Sequence, residues 1–168
     1  MKNIVLIGMP GAGKSTIGVV LAKNLGMSFM DSDLLIQETE GKKLHELIEE
    51  FGTDGFVKIE ERVNASIDVK NTIIATGGSV VYGEKAMEHL KSIATVCYLQ
   101  LSYEAIRERL GDLTKRGVVL KKGQTLRDLY EERVPLYEKY ADMVIPCEKK
   151  GIREVVEFIA DKMNLSCE

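Results

Sequence analysis

Gly8-Met9-Pro10-Gly11-Ala12-Gly13-Lys14-Ser15 stands directly after the apolar run Ile4-Val5-Leu6-Ile7 and directly before helix-period residues 15–25. The octet fits G-x-x-x-x-G-K-[ST] without a gap. Its glycines permit backbone torsions closed to other residues, so successive N–H groups can turn into one anion-sized cup. A helix opening near Lys14 adds its positive end to the same place. Lys14 brings a mobile charge for outer phosphates, and Ser15 a hydroxyl for Mg²⁺. A strand before the loop and a helix after it are the context that separates a phosphate loop from a chance glycine turn.

Working outward, four more short apolar runs follow, at residues 28–30, 72–75, 95–99 and 143–146. Between them, residues 44–51, 56–69, 84–91, 103–110, 126–140 and 152–163 carry apolar side chains three and four apart. Buried runs alternating with amphipathic helices predict an α/β fold: a five-stranded parallel sheet with helices on both faces, in three layers. The 168 residues, without repeat, low-complexity tract or Pro/Gly-rich linker, predict one domain over 1–168.

Composition narrows the partners. A net charge of −3 is no footprint of a nucleic-acid binder. The first apolar run is too short to span a membrane and no cleavage pattern follows it, so no membrane partner is expected. Cys97, Cys147 and Cys167 form neither a disulfide framework nor a metal spacing, which points to a reducing, cytoplasmic setting. A monomer is the default expectation. His45 and His89 read as surface residues and Cys97 as a core thiol.

Two stretches stay open on residues alone. Residues 111–124 read GDLTKRGVVLKKGQ, either a solvated loop or a mobile lid over a nucleotide. Asp31-Ser32-Asp33 follows the second run. Strand alternation would put both carboxylates on one side, to share a metal and an acceptor hydroxyl; the same residues suit a helix N-cap equally well. Arg133 could be an ion-pair partner of Asp128, Glu131 or Glu132 on a helix surface.

The order and spacing of GMPGAGKST at 8–16, D-S-D at 31–33, A-T-G-G at 75–78 and R-x-P-L-Y at 133–137 resemble the shikimate kinases, over about residues 1–146. The resemblance implies a P-loop kinase fold with a lid at about 111–124 and transfer of the ATP γ-phosphate to an alcohol, shikimate to 3-phosphoshikimate. By position, Gly11, Ala12, Gly13, Lys14, Ser15 and Thr16 would hold the ATP phosphates, with Ser15 and Asp31 serving Mg²⁺. Asp33 would meet the acceptor hydroxyl as base or positioner. Gly77 and Gly78 would line the acceptor pocket, and Arg133 would bind a carboxylate. Arg116 would be the lid arginine on the transferred phosphate, and Arg109 would stack on adenine. Lys14, Asp33 and Arg116 would then be the catalytic set.

Three departures touch the acceptor side or the lid. The family segment G-E-x-x-F-R-x-x-E reads Gly52-Thr53-Asp54-Gly55-Phe56-Val57-Lys58-Ile59-Glu60, so a carboxylate-gripping arginine is Val57 and its companion Glu60 is orphaned. A third glycine is Ser79, and the lid R-P-L-L reads Arg116-Gly117-Val118-Val119. Losing one charge-assisted contact costs about 1.5–3 kcal/mol, roughly ten- to a hundredfold in affinity. Three readings therefore compete: a shikimate kinase with a rearranged grip, a related kinase for another small hydroxylated acceptor with Val57 as an apolar wall, and an ATP-dependent switch.

Overall fold

The first apolar run becomes β1 (Asn3–Ile7), buried along its whole length. A strand without a solvent face needs partners on both edges and cover on both faces. β3 (Thr72–Ala75) pairs with one edge and β4 (Ala94–Gln100) with the other, both parallel. β2 (Ser28–Asp31) lies outside β3 and β5 (Met143–Pro146) outside β4, giving the order β2-β3-β1-β4-β5. The computed structural model describes residues 2–111 and 121–165.

The covering helices are α1 (Lys14–Leu25), α2 (Ser32–Glu40), α3 (Leu44–Ala65), α4 (Glu84–Ile93), α5 (Tyr103–Leu110), α6 (Leu126–Tyr140) and α7 (Ile152–Leu165). The chain leaves β1 toward β2 on one side and leaves β3 toward β4 on the other. Right-handed crossovers therefore place α1 and α4 on opposite faces. α7 packs on α1, and α3 packs on α4. The direction of travel reverses at the carboxyl end of β1, where open parallel sheets bind ligands.

One buried polar side chain fixes the sheet's other end. Asn3 Nδ2 donates to Val69 O at 2.7 Å and Ile93 O at 3.2 Å, while its Oδ1 accepts from Thr72 N at 2.9 Å. A single residue thus joins β1 to the entries of β3 and β4, with its amide satisfied on both sides.

All five expected strands are present, each within one residue of its expected limits. The helices need three corrections. Residues 32–40 form a helix that the apolar pattern does not announce, because only Ser32 and Ile36 are buried and Leu34 is 63% exposed. The helix expected over 56–69 ends at Ala65 and is joined to residues 44–51 across a kink. The kink is Gly52, at φ 72°, a left-handed torsion that glycine takes without a Cβ penalty. The third is a single 3₁₀ turn at Val80–Tyr82.

Beside the main core, Ile36, Leu47, Phe56 and Val63 form a separate apolar cluster between α2 and α3. That cluster sets how the second half of α3 is rotated toward the carboxyl end of the sheet. Among the described residues no helix is long and apolar enough to cross a membrane.

Candidate active site

Between β1 and α1 the chain turns through a glycine loop that only its sequence allows. Gly13 sits at φ 91°, and a Cβ on Gly8 would stand 3.0 Å from the Leu99 carbonyl oxygen. Lys14 opens α1 but folds back over the loop, 8% exposed, with Nζ donating to Gly8 O at 2.6 Å and Met9 O at 2.9 Å. An ammonium has three protons, so one stays available to a phosphate. Burial brings its pKa down to about 8, opposed mainly by the charge of Asp33.

Asp31 ends β2 and does two things at once. Its Oδ1 accepts from Asp33 N at 2.9 Å and Leu34 N at 3.4 Å, capping α2. Its Oδ2 accepts from Ser15 Oγ at 2.9 Å. The cap and the link to the loop are therefore compatible. The hydroxyl and carboxylate are hard oxygen donors at the mouth of a phosphate cup, a set that fits Mg²⁺.

Strand alternation does not describe the pair, because the helix starts at Ser32. Asp31 turns to Ser15, whereas Asp33, in the first turn of α2, faces a cavity of about 290 Å³. This cavity brings together Gly11, Gly13, Lys14, Ser15 and Thr16 with Asp33, Glu60, Gly77, Gly78, Ser79 and Arg133. Burial, then the neighbouring Asp31, push the Asp33 carboxyl up to about 6, against the pull of Lys14.

Gly77 and Gly78 leave room that no other residue leaves. A Cβ on Gly77 would stand 2.7 Å from Asp33 Oδ1, and one on Gly78 2.8 Å from Pro10 Cδ and 2.9 Å from Arg133 Nη1. The R-x-P-L-Y segment lies on α6, where residues four apart share a face. Tyr137 donates from its hydroxyl to Gly78 O at 2.6 Å and stacks on Tyr98 with ring centres 5.2 Å apart. One turn earlier Arg133 enters the cavity, 1% exposed, its Nε donating to Tyr82 OH at 3.3 Å. Burial rules out the surface ion-pair reading. Asp128 instead bonds with Thr125, and Glu132 accepts from Tyr82 and Gln124.

Val57 is not a wall of this cavity. It borders a side pocket of about 120 Å³ with Thr53, Asp54, Tyr82, Lys121 and Gln124, and the apolar wall of the main cavity is Phe56 and Leu44. Residues 56 and 60 share a helix face, and residue 57 lies about a quarter turn away from 56.

A second cavity, of about 260 Å³, meets the loop from the other side at Ala12, Gly13 and Thr16. Arg109 lines it and donates from Nη1 to Gly11 O at 3.3 Å and Ala12 O at 3.5 Å. Its remaining walls, Ile17, Cys147, Lys150, Ile152 and Val155, come largely from beyond residue 146. Sequence reasoning missed those four C-terminal residues, which carry no motif. Arg116 and most of the 111–124 segment lie outside the described residues. Cys97 is a core thiol, held up at about 12 by burial, and His45 is exposed.

Comparison with known proteins gives a consistent picture. A family model described as shikimate kinase matches residues 10–164. A shikimate kinase of Thermodesulfovibrio yellowstonii is 39% identical over 162 residues, 95% of this chain and 93% of that protein. One from Haemophilus influenzae is 36% identical over 164 residues, 95% and 91% of the two chains. Among solved structures, the shikimate kinase from Acinetobacter baumannii in complex with shikimate superposes with a TM-score of 0.88 at 32% identity, covering 100% of this chain and 95% of that one. The Aquifex aeolicus shikimate kinase gives 0.82 at 31% identity, with 98% of each chain covered.

Proposed function

The chain belongs to the shikimate kinase family, and from that premise we propose that it transfers the γ-phosphoryl group of ATP to a hydroxyl of shikimate, giving 3-phosphoshikimate. The observation that carries this reading is one cavity with a carboxylate and a guanidinium, Asp33 and Arg133, beside a complete phosphate loop. An acceptor needs a hydroxyl at one end and a carboxylate at the other to use both.

Phosphoryl transfer depends on alignment and on neutralising charge. Backbone N–H groups of residues 11–16 and the third Lys14 proton receive the donor phosphates. Arg109 and the cavity it lines receive the adenine. Asp33 holds the acceptor hydroxyl and takes its proton as the oxygen bonds to the γ-phosphorus and the bond to ADP breaks. Gly77 and Gly78 let the acceptor approach the chain closely. Mg²⁺, when bound at Ser15 and Asp31, supplies charge neutralisation on the phosphates. Arg116, outside the described residues, is assigned to the transferred phosphoryl group on the family pattern.

The family's use of ATP supports the donor. The cytoplasm, a single domain over 1–168 and a monomer complete the proposal. No nucleic acid or membrane partner enters it. The test is ADP release from MgATP with and without shikimate, together with identification of the phosphorylated product. ATP turnover that shikimate leaves unchanged would remove shikimate as the acceptor.

Arg133→Lys is expected to raise the KM for shikimate by about ten- to a hundredfold with a smaller effect on kcat, because an ammonium cannot replace a bidentate fork. Initial rates against shikimate concentration check this. A KM within threefold of wild type, in a protein with unchanged melting temperature, would take Arg133 out of the carboxylate site.

A further inference from the structure

Glu60 is 1% exposed and lines the acceptor cavity from α3. Its two oxygens have different surroundings. Oε1 accepts from Ser79 Oγ at 2.6 Å. Oε2 is buried and has no hydrogen-bond partner among the described residues. That oxygen and Asp33 Oδ1 lie 2.9 and 2.7 Å from the point where a Cβ on Gly77 would stand, so both carboxyls meet at the Gly77 wall of the cavity.

A buried carboxyl oxygen with no donor is poorly placed as an anion and well placed as an acid O–H. The groups acting on Glu60 are Asp33 from α2, Arg133 from α6, Lys14 from the start of α1 and the Ser79 hydroxyl from the turn after β3. Burial is the largest influence. With Asp33 it outweighs the Ser79 bond and the two cations, and raises the carboxyl to about 7.

On the reading that the acceptor is shikimate, we infer that Glu60 binds it in protonated form, Oε2–H donating a hydrogen bond to an acceptor oxygen while Ser79 fixes the carboxyl through Oε1. The proton stays on Oε2 throughout, and no bond to it breaks. A neutral donor beside Arg133 admits an anionic acceptor without a second cation, whereas ionised Glu60 would repel it. With arginine absent from position 57, the Ser79 hydroxyl holds Glu60, and Glu60 itself supplies a donor.

The test is calorimetric titration of the nucleotide-free protein with shikimate at several pH values. A carboxylate acceptor stays ionised throughout, so any pH dependence belongs to the protein. Because the binding form is the protonated one, affinity should fall as pH rises through about 7, with Kd weakening about tenfold from pH 6 to 8. At pH 8 binding should take up about one proton, read from the dependence of the heat on buffer ionisation enthalpy. Glu60→Gln keeps an acceptor for Ser79 and a donor for the ligand. It should hold the pH 6 affinity within about threefold and lose both the fall centred near 7 and the proton uptake that accompanies it.

Ser79→Ala removes a bond that favours the anion, and the midpoint should move up by roughly one pH unit. Should Glu60→Gln not fold, the wild-type proton uptake and the Ser79→Ala midpoint decide. Shikimate binding with a flat pH profile and no proton uptake overturns the inference, as does a fall in affinity with a midpoint near 7 that survives in Glu60→Gln. Absence of shikimate binding at every pH removes the acceptor reading itself, and this inference with it.

Discussion

Lys14→Ala is expected to lower ATP-dependent turnover by at least about a thousandfold, on the scale seen when a transition-state charge partner is removed from a phosphoryl-transfer site. The lysine is the cation that the loop itself positions, with Nζ held by two loop carbonyls at 2.6 and 2.9 Å. Those contacts fix where the third proton points before any donor arrives, and alanine removes charge and direction together. The fold should survive, because α1 is anchored through Ile17, Leu21 and Ala22. Burial already holds the ammonium near pKa 8, so its removal takes away a desolvated charge, and the melting temperature at pH 7 should not fall. Scanning calorimetry beside a coupled ADP assay gives both readouts. A well-folded Lys14→Ala protein with activity within tenfold of wild type would refute the assignment of the phosphate loop.

Legibility in the sequence followed the range of the physics. The phosphate loop could be read because glycine torsions, one lysine and one hydroxyl within eight residues make the site. The strands could be read because a parallel sheet buries both faces, leaving runs such as Ile4-Val5-Leu6-Ile7 with no polar alternation. α2 could be read only from its cap, the N-cap alternative for Asp31-Ser32-Asp33, because the helix buries too little to leave a period. The double use of Asp31 depends on two oxygens meeting partners from α1 and α2, which no spacing encodes.

Val57 shows the same limit at the acceptor side. The segment 52–60 has the family's length, but the torsion at Gly52 and the Phe56 anchor decide the rotation of the helix. They present Phe56 and Glu60 to the cavity and leave Val57 to the side pocket. The Arg109 cavity was legible only at Arg109, through the family pattern, because Arg109 and Lys150 are brought together by the β4–β5 pairing, a non-local contact. Arg133 was read through the family pattern alone. Its burial, and the use of Tyr137 to tie α6 to Gly78, became visible only with the fold.

Asp33→Asn is expected to lower kcat/KM for the acceptor by about a hundred- to ten-thousandfold, the range for loss of a positioned general base. Asparagine keeps the shape and can still orient a hydroxyl, but it cannot take the proton. α2 should be unaffected, because its cap is Asp31 rather than Asp33. The pH profile carries the sharper distinction. Burial and Asp31 raise the Asp33 carboxyl to about 6, and the form that accepts a proton is the ionised one. Wild-type kcat/KM should therefore fall as pH drops through about 6, with a slope approaching one decade per pH unit, and this acid limb should vanish in Asp33→Asn. The same raised value means that stability is lost as pH rises from the ordinary carboxylate range through about 6 and stays lost above it, so at pH 7 the variant should melt no lower than wild type. A loss below tenfold with the acid limb intact would make Asp33 a group that orients the hydroxyl, with the proton leaving by another route.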